Sequence, residues 1–482
     1  MPPSPAFRPE SRHLTLGGEF FDPVEPADFP QAVIRFRNDR IAARVGLEGL
    51  SDEEWIAAFG RFEPLPDAQP QPLALRYHGH QFRSYNPQLG DGRGFLYAQL
   101  REAGPDGRPG RLLDLGTKGS GRTPWSRDGD GRLTLKGGVR EVLATEMLEA
   151  LGVPTSKSFS LIETGESLHR YDEPSPTRSA VLTRMSWSHV RFGSFQRLAY
   201  YERADLIGAL VDYVVDTYYP ELADASAAER PAALLRAVTE RSARLAARWI
   251  AAGFTHGVLN TDNMNVTGES FDYGPYRFVP RYDPGFTAAY FDETGLYAFG
   301  RQAEAVYWNL GQLAGCLTLV TDAEPLVEIL NGYGALWQAE LRAAVLNRLG
   351  LKPSGDEEAE RVLASSTFSL LGAAGEALRW EPLFFDWFGG TASQQRAMAG
   401  PRAAAYAGEA FEAFRTALGA FEPDRPERLA HPYFARSEPE ELLYDEIETL
   451  WAAIAGQDDW GPFHAKIATI GEARDAMAIA VP

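Results

Sequence analysis

Apolar residues follow two different periods along this chain, and the change between them divides it into halves. In the first half, short apolar runs lie between segments rich in Gly and Pro, which predicts strands at 95–100, 112–118, 156–163 and 180–185. In the second half, apolar residues recur every three to four positions over longer stretches, which is the period of helices packed on one face. The pattern predicts an α+β fold with a strand-rich first half and a larger helical second half.

One helix is expected inside the strand-rich half, over residues 135–151. Its apolar residues recur every four positions from Val139 to Leu151, and Gly152 supplies the stop. Glu141 lies off this apolar stripe, so the pattern does not force it into the core that the helix makes.

The second half has the helical period almost throughout. The expected helices span 201–219, 230–252, 297–319 and 325–349, and further helices follow between 361 and 482. The helix at 325–349 opens on a proline, which the first helical position tolerates because its N–H needs no intrahelical partner.

Proline and glycine punctuation suggests four segments. Prolines break residues 1–75 into short elements, so this part is expected to be an N-terminal wrap that packs on the rest of the chain. A strand-rich domain follows over 76–200, with a turn rich in Gly and Pro at 104–110. A helical domain over 201–380 and a C-terminal helical extension over 381–482 complete the division.

The charge of the chain limits its partners. The formal net charge is −19 over 482 residues. Nucleic acids and anionic membranes both reward a basic face, so neither is an expected partner. A polyphosphate ligand would therefore need a local basic pocket.

The expected location is the cytoplasm. The opening at 1–9 has no apolar run that would serve as a signal peptide, and no apolar run reaches transmembrane length. The one cysteine, Cys316, allows no disulfide within the chain, which fits a reducing compartment.

The candidate chemistry centres on the loop His-Gly-Val-Leu-Asn-Thr-Asp-Asn at 256–263 and on Asp272 after it. Mg²⁺ prefers oxygen ligands and is often held by one or two side chains together with substrate phosphates, a role that suits Asn263 and Asp272. Asp262 is then free to accept a proton from an attacking hydroxyl, as in kinase-like sites. The alternative is that this stretch is only a turn, which Asn, Asp and Thr also favour.

A Gly-rich segment lies upstream, at 86–94. Gly90 and Gly92 would let backbone amides approach an anion closely, and Arg93 adds a planar fork that suits phosphate. The alternative is a plain hairpin, because Gly-Asp-Gly is also a good turn.

Basic residues complete a possible phosphate pocket between the two halves. Lys118 ends a predicted strand, and a strand lysine followed by a helix glutamate such as Glu141 is the arrangement with which protein kinases orient ATP phosphates. Arg184 and Arg191 would neutralise a terminal phosphate. Taken singly, the lysine also fits a solvated strand end, and each arginine fits a surface ion pair.

Two histidines, His78 and His80, would share one face of a strand. With no third ligand of the same kind nearby, a packed or hydrogen-bonded pair is favoured over a metal site.

Five ordered motifs within about residues 75–320 resemble the selenoprotein O family. They are Asn86–Arg93, Lys118–Pro124, Ser188–Phe195, His256–Asn263 and Phe271–Tyr276. The resemblance implies a protein-kinase-like, two-lobed fold, with a strand-rich N-lobe over 76–200 and a helical C-lobe over 201–380.

The resemblance also implies protein adenylylation, in which AMP moves from ATP to a Ser, Thr or Tyr hydroxyl and ATP lies in the reverse orientation to that in ordinary kinases. The implied metal is Mg²⁺, with Mn²⁺ as an alternative. Glu141 would hold Lys118, Asp262 would be the base, and Asn263 and Asp272 would bind the metal. The residues implied to contact the nucleotide are Gly90, Gly92, Arg93, Lys118, Asp130, Gly131, Arg184, Arg191 and Asp272.

The chain also departs from the family pattern. Many relatives carry a Cys or selenocysteine in a C-terminal tail, whereas residues 478–482 are Ala-Ile-Ala-Val-Pro, so a thiol switch through that tail is not expected. The region from about residue 380 onward is expected to lack the family's C-terminal pattern. His78 stands where the family is expected to have a small residue.

Two other classes of function remain open at the level of sequence. The first is a phosphotransferase, or a nucleotidyltransferase that uses UTP. The second is a non-catalytic nucleotide-binding scaffold. The presence of both base and metal residues favours an enzyme over the scaffold.

Overall fold

The computed structural model of the chain describes residues 4–104, 109–171 and 173–481. The strands are β1 (Pro9–Glu10), β2 (Phe21–Pro23), β3 (Val33–Arg37), β4 (Leu73–Leu75), β5 (Gly79–Gln81), β6 (Ser84–Asn86), β7 (Leu96–Ala103), β8 (Pro109–Lys118), β9 (Leu133–Thr134), β10 (Lys157–Leu168), β11 (Thr177–Ser186), β12 (Phe254–Thr255) and β13 (Arg277–Phe278). A turn was predicted at 104–110, and residues 105–108 of it lie outside the described residues.

The helices cover most of the second half. They are α1 (Asp39–Arg44), α2 (Asp52–Phe59), α3 (Leu135–Ala150), α4 (Phe192–Tyr200), α5 (Ala204–Tyr218), α6 (Arg230–Ala251), α7 (Gln302–Leu317), α8 (Ala323–Asn331), α9 (Tyr333–Arg348), α10 (Glu357–Ala374), α11 (Trp380–Asp386), α12 (Gln394–Ala399), α13 (Glu409–Leu418), α14 (Tyr444–Gln457) and α15 (Gly461–Met477). None of the helices in the described part of the chain is long and apolar enough to cross a bilayer.

An antiparallel sheet of nine strands organises the first half. Its main path runs β2-β4-β7-β8-β11-β10-β3, with β1 beside β7 and β9 beside β11. The four strands predicted from sequence form its centre, because their apolar runs are buried on both faces by helices and loops. The predicted combination of strands and many helices is confirmed, and the structure adds that the sheet is antiparallel.

The first 75 residues contribute strands to the same sheet. Strand β3 pairs with β10, with Arg37 opposite Ser160, and β2 and β4 form the opposite edge. Helix α2 begins with a capping box, in which Ser51 accepts from the N–H of Glu54 and the Glu54 carboxylate accepts from the N–H of Ser51. The sheet therefore begins before residue 76. The proposed division of the chain at 75, 200 and 380 stays a prediction.

Helix α3 lies against the sheet and begins where the sequence predicts. Thr134 caps it by accepting a hydrogen bond from the N–H of Gly137 at 3.1 Å. Helix α15 packs on its other side, where Arg474 lies 3.0 Å from Glu146. The C-terminal helices are therefore fixed to the helix that carries Glu141.

The helical half largely follows its predicted boundaries, with one correction. The single helix expected over 325–349 is wrong, because the chain forms α8 and α9 with Gly332 between them. Gly332 is both the C-cap of α8 and the N-cap of α9.

Candidate active site

The strand end and helix α3 bring Lys118 and Glu141 together. Lys118 Nζ lies 2.6 Å from Glu141 Oε2, and both side chains are buried. Glu141 lies in the core although it is off the apolar stripe of its helix, a burial that the stripe alone left undecided. A carboxylate tolerates such burial when cations hold it. Here the cations are Lys118 and Arg184, whose Nη1 lies 3.2 Å from Glu141 Oε1.

Asp272 lies among three cations. Its Oδ1 is 2.9 Å from Lys118 Nζ and 3.3 Å from Arg184 Nη1, and its Oδ2 is 3.6 Å from Arg191 Nη1. Burial would raise the pKa of Asp272, but the charges of Lys118, Arg184 and Arg191 outweigh it and hold the pKa well below its ordinary value. Asp272 is therefore a permanent carboxylate at the centre of a basic cluster.

Arg191 links this cluster to the candidate catalytic loop. Its Nη1 donates to the backbone carbonyl of Asp262 at 2.7 Å, and its Nη2 donates to Asp91 Oδ1 at 3.3 Å. The guanidinium lies between the rings of Tyr77 and Phe271, 4.4 and 4.9 Å from their centroids. These contacts fix the orientation of Arg191.

Asp262 has the properties of a general base. It is buried in a 3₁₀ turn, and its Oδ1 has no hydrogen-bond partner among the described residues. Burial raises its pKa to about 6, against the opposing charge of Arg191. A carboxylate with a raised pKa and an unused oxygen is suited to accept a proton near neutral pH.

The hairpin of β5 and β6 holds the loop that carries Asp262. The N–H of His80 donates to Thr261 Oγ1 at 2.7 Å, and the N–H of Phe82 donates to Asn260 Oδ1 at 3.0 Å. A Cβ atom at Gly79 would lie 2.9 Å from Asp262 Oδ1, so only glycine fits there without displacing the carboxylate. Sequence reasoning missed this support, because a glycine between two histidines gives no sign of what it contacts.

The two histidines of this hairpin are hydrogen-bonded and packed, as predicted. His78 Nδ1 is 2.8 Å from the hydroxyl of Tyr85, and His80 Nδ1 is 2.7 Å from Gln196 Nε2. His78 precedes strand β5, and both imidazole rings contact the ring of Tyr85, at 5.8 and 5.0 Å between centroids.

Asn263 is fixed by its own loop. Its Nδ2 donates to the carbonyl of Val258 at 3.0 Å, which leaves Oδ1 as the atom of this amide suited to a cation. Asp272 offers carboxylate oxygens of the same hard character. No group of three or more His, Cys, Asp or Glu side chains within the described ranges is placed to hold a metal. The available donors fit Mg²⁺ bound jointly with phosphate oxygens.

The Gly-rich segment packs closely on Trp125. A Cβ at Gly90 would lie 2.4 Å from the indole ring, and one at Gly92 would lie 2.8 Å from the Trp125 carbonyl oxygen. These two glycines are thus required by close contact with Trp125, a reason that the sequence does not reveal. Arg93 beside them is exposed.

A second loop, which carries Asp130 and Gly131, borders the same site as the Gly-rich segment. Asp130 Oδ2 lies 2.8 Å from Arg170 Nη1, which holds the pKa of Asp130 below its ordinary value despite partial burial. Gly131 has φ +71°, and a Cβ there would lie 2.2 Å from the carbonyl oxygen of Gly121. This turn therefore needs glycine on both conformational and steric grounds.

These elements enclose one cavity of about 680 Å³. Ten of the twelve predicted site residues line it, and they are Gly90, Gly92, Arg93, Lys118, Asp130, Gly131, Arg184, Arg191, Asp262 and Asp272. Glu141 lies behind Lys118, and Asn263 lies outside the lining. Tyr77, Asp91 and Trp125 also line the cavity and were missed, although the position of Asp91 between Gly90 and Gly92 was a usable signal.

Comparison with known proteins extends the resemblance over nearly the whole chain. Residues 6–470 match the sequence profile of the family described as "Protein adenylyltransferase SelO". The expectation that the chain departs from the family after about residue 380 is therefore wrong. The earlier span of 75–320 was too short because it rested on the site motifs alone.

Similar relatives carry the name "Protein nucleotidyltransferase YdiU". The relative from Gloeobacter violaceus is 46% identical over 478 residues, which cover 98% of this chain and 96% of the relative. The relative from Synechocystis sp. is 44% identical over 472 residues, covering 93% of this chain and 95% of the relative. The relative from Synechococcus elongatus is 53% identical over 357 residues, covering 73% and 68%.

Proposed function

The chain belongs to the SelO family of protein adenylyltransferases, and from that membership we propose that it moves AMP from ATP to a Ser, Thr or Tyr hydroxyl of a protein and releases pyrophosphate. It is a nucleotidyltransferase, as its relatives are named. Within the structure, the observation that carries the proposal of an ATP site is the position of Lys118 between Glu141 and Asp272 at 2.6 and 2.9 Å. A buried lysine held in this way is the device that orients ATP phosphates in kinase-like sites.

The proposed reaction is an attack on the α-phosphorus. The acceptor hydroxyl gives its proton to Asp262, and its oxygen forms a bond to the α-phosphorus. The bond from that phosphorus to the bridging oxygen of the β-phosphate breaks, and pyrophosphate leaves with the electron pair. As the family resemblance implies, ATP would lie with its terminal phosphates inside the pocket, in the reverse orientation to that in ordinary kinases.

The cations of the pocket are suited to stabilise the leaving pyrophosphate. Negative charge develops on the leaving pyrophosphate, and Lys118, Arg184 and Arg191 carry three positive charges on buried, fixed side chains. Charges that are already oriented stabilise a transition state without further reorganisation. Their bonds to Asp272 and Glu141 keep them in place before the nucleotide binds.

We propose Mg²⁺ as the metal, with Mn²⁺ as a substitute. Asp272 and the Oδ1 of Asn263 would hold it, and the phosphates would supply further oxygen ligands. When bound, the ion would neutralise part of the phosphate charge. Asp272 is ionised at any physiological pH, so it needs no deprotonation to serve as a ligand.

We also propose that the sheet with α3 corresponds to the N-lobe of a protein-kinase-like fold and the helical half to its C-lobe. Support comes from the site itself, since Lys118 and Glu141 lie in the first part and Asp262, Asn263 and Asp272 lie in the second. We propose the cytoplasm as the place of reaction, because its substrate ATP is available there.

The test is incubation with ATP labelled at either the α- or the γ-phosphate, with a cell lysate as the source of acceptors. Label is expected on protein from the α-phosphate only, and the Asp262→Asn variant should transfer it at least about 100-fold more slowly. Protein label from the γ-phosphate alone would overturn the proposal in favour of a kinase. ATP binding with no transfer of either label would favour a scaffold.

The same assay identifies the nucleotide. An excess of unlabelled UTP should leave the transfer of AMP nearly unchanged if ATP is preferred. Efficient transfer from α-labelled UTP with little from ATP would instead identify a UMP transferase.

A further inference from the structure

A second cleft opens beside the nucleotide pocket and shares Arg93 and Lys118 with it. Its volume is about 420 Å³. One wall is the start of helix α3, with Lys136 and Arg140, and another is the segment just after Asp272. The cleft therefore leads directly to the proposed site of reaction.

The charge of this cleft is opposite to that of the whole chain. Seven Arg or Lys residues line it against two Glu residues, in a protein with a formal net charge of −19. A concentration of cations in an acidic protein points to an anionic ligand, because like charges gathered in a cleft repel one another unless a partner balances them.

Several of these cations have no carboxylate partner of their own. Four of the seven are paired with carboxylates at 2.6 to 2.8 Å, namely Lys118, Arg132, Lys136 and Arg170. For the other three, Arg93, Arg140 and Arg277, no carboxylate among the described residues lies within 4.0 Å of a charged nitrogen. Arg140 Nη2 instead donates to the carbonyl of Tyr276 at 3.1 Å. The cleft thus holds guanidinium groups that remain available to a negatively charged ligand.

Arg277 is positioned by an aromatic ring. Its guanidinium carbon lies 3.5 Å from the ring centroid of Tyr444, which comes from helix α14. Burial and the charge of the nearby Arg140 lower the pKa of Arg277, which means that these surroundings disfavour its positive charge. A negatively charged ligand beside Arg277 would stabilise that charge. At the mouth of the cleft, Tyr290 is 84% exposed and offers a ring to a ligand too large to lie inside.

We propose that this cleft binds an acidic segment of the acceptor protein, next to the hydroxyl that receives AMP. This inference rests on the proposed function, since it names the class of acceptor for the same site. Carboxylates of the segment would pair with Arg277 and Arg140, and its hydroxyl would enter the pocket past Lys118. Tyr290 would pack against an apolar part of the segment at the entrance.

Binding is tested separately from the reaction. The full-length protein, loaded with an ATP analogue that cannot be cleaved between the α- and β-phosphates, is titrated into fluorescent peptides of equal length. Each peptide has a central Ser flanked by Glu, Gln or Lys. We expect the Glu peptide to bind at least about fivefold more tightly than the Gln peptide at low salt. This is the change in affinity that a single close ion pair produces in water. The preference should shrink in 1 M salt.

Variants of Arg277 test whether this residue causes the preference for the Glu peptide. Arg277→Glu should remove the preference for the Glu peptide, and Arg277→Gln should reduce it without reversing the charge. The matched control is Arg236→Glu, which makes the same charge change at an exposed position of helix α6 and should keep the full preference. Binding of the ATP analogue reports that each variant is folded.

The outcomes separate this inference from the proposed function. Equal binding of the Glu and Gln peptides by the wild type would overturn the inference, whether or not AMP is transferred. Loss of the preference in Arg236→Glu to the same extent as in Arg277→Glu would also overturn it, because the net charge alone would then be the cause. A failure of the proposed function would appear instead as no transfer of the α-phosphate label to any protein.

Discussion

Gly79 lies so close to Asp262 that a Cβ atom on it would be 2.9 Å from the carboxylate oxygen Oδ1 and 3.1 Å from the Asp262 Cβ. The two residues are far apart in sequence and meet because the hairpin of β5 and β6 donates two backbone hydrogen bonds to the loop at 260–261. The position of the proposed base therefore depends on a residue with no chemistry of its own.

Gly79→Ala is expected to slow AMP transfer by about 10- to 100-fold, because a displacement of a catalytic group by less than 1 Å already impairs proton transfer. The affinity for ATP should change little, since Gly79 does not line the nucleotide pocket. The measurement is kcat together with ATP binding by calorimetry. Gly208→Ala is the control, because a Cβ there meets nothing within 4 Å. Equal kcat in both variants would show that the hairpin does not position the base.

The proposed base predicts the pH dependence of the reaction. Asp262 must be ionised to accept a proton, and its pKa is about 6. The rate at saturating ATP should therefore rise with pH through about 6 and level off above 7. Asp262→Asn should lower the rate by about 10²- to 10⁴-fold and remove the rise. A profile that is flat between pH 5 and 8 in the wild type would assign the base to another group.

Much of this site was accessible from the sequence because its residues belong to ordered motifs. Lys118 and Arg191 belong to such motifs, and in the structure Lys118 meets Asp272 across the two halves of the chain. The burial of Glu141 was not accessible, because hydrophobic periodicity counts apolar residues and ignores a carboxylate neutralised by Lys118.

Contacts between distant segments were missed for a different reason. Nothing local in the sequence indicates that Gly90 faces Trp125 or that the N–H of His80 meets Thr261. The break at Gly332 was also missed, because a single glycine within a helical period is often tolerated. Strands and helices with long, regular patterns were predicted well, whereas tertiary hydrogen bonds and close packing required the structure.

The buried pair of Lys118 and Glu141 predicts coupled effects on stability. Lys118→Met removes a cation from two carboxylates and should lower the free energy of unfolding by about 3 kcal/mol, because breaking one partner leaves buried charge. Adding Glu141→Gln to Lys118→Met should restore part of that loss. The measurement is urea denaturation of both single variants and the double variant. Strictly additive losses would show that the two side chains do not interact energetically.

If Asn263 binds the metal, its substitution should change the Mg²⁺ concentration that AMP transfer requires. Removal of Mg²⁺ with a chelator should abolish AMP transfer, and added Mg²⁺ should restore it. Asn263→Ala should raise the Mg²⁺ concentration needed for half-maximal rate by about 10-fold or more, since the substitution removes one of two proposed protein ligands. Asn347→Ala, on helix α9, is the control for loss of an amide elsewhere. An unchanged Mg²⁺ requirement in Asn263→Ala would assign the second ligand to a different residue.

The ion pair between Arg474 and Glu146 joins residues 328 positions apart, and this separation matters during translation. A ribosome adding about 5–20 residues per second needs on the order of 15–60 s to make the intervening chain. Throughout that interval helix α3 has emerged without the helix that braces it. A nascent chain would thus gain its mature nucleotide pocket only near the end of synthesis.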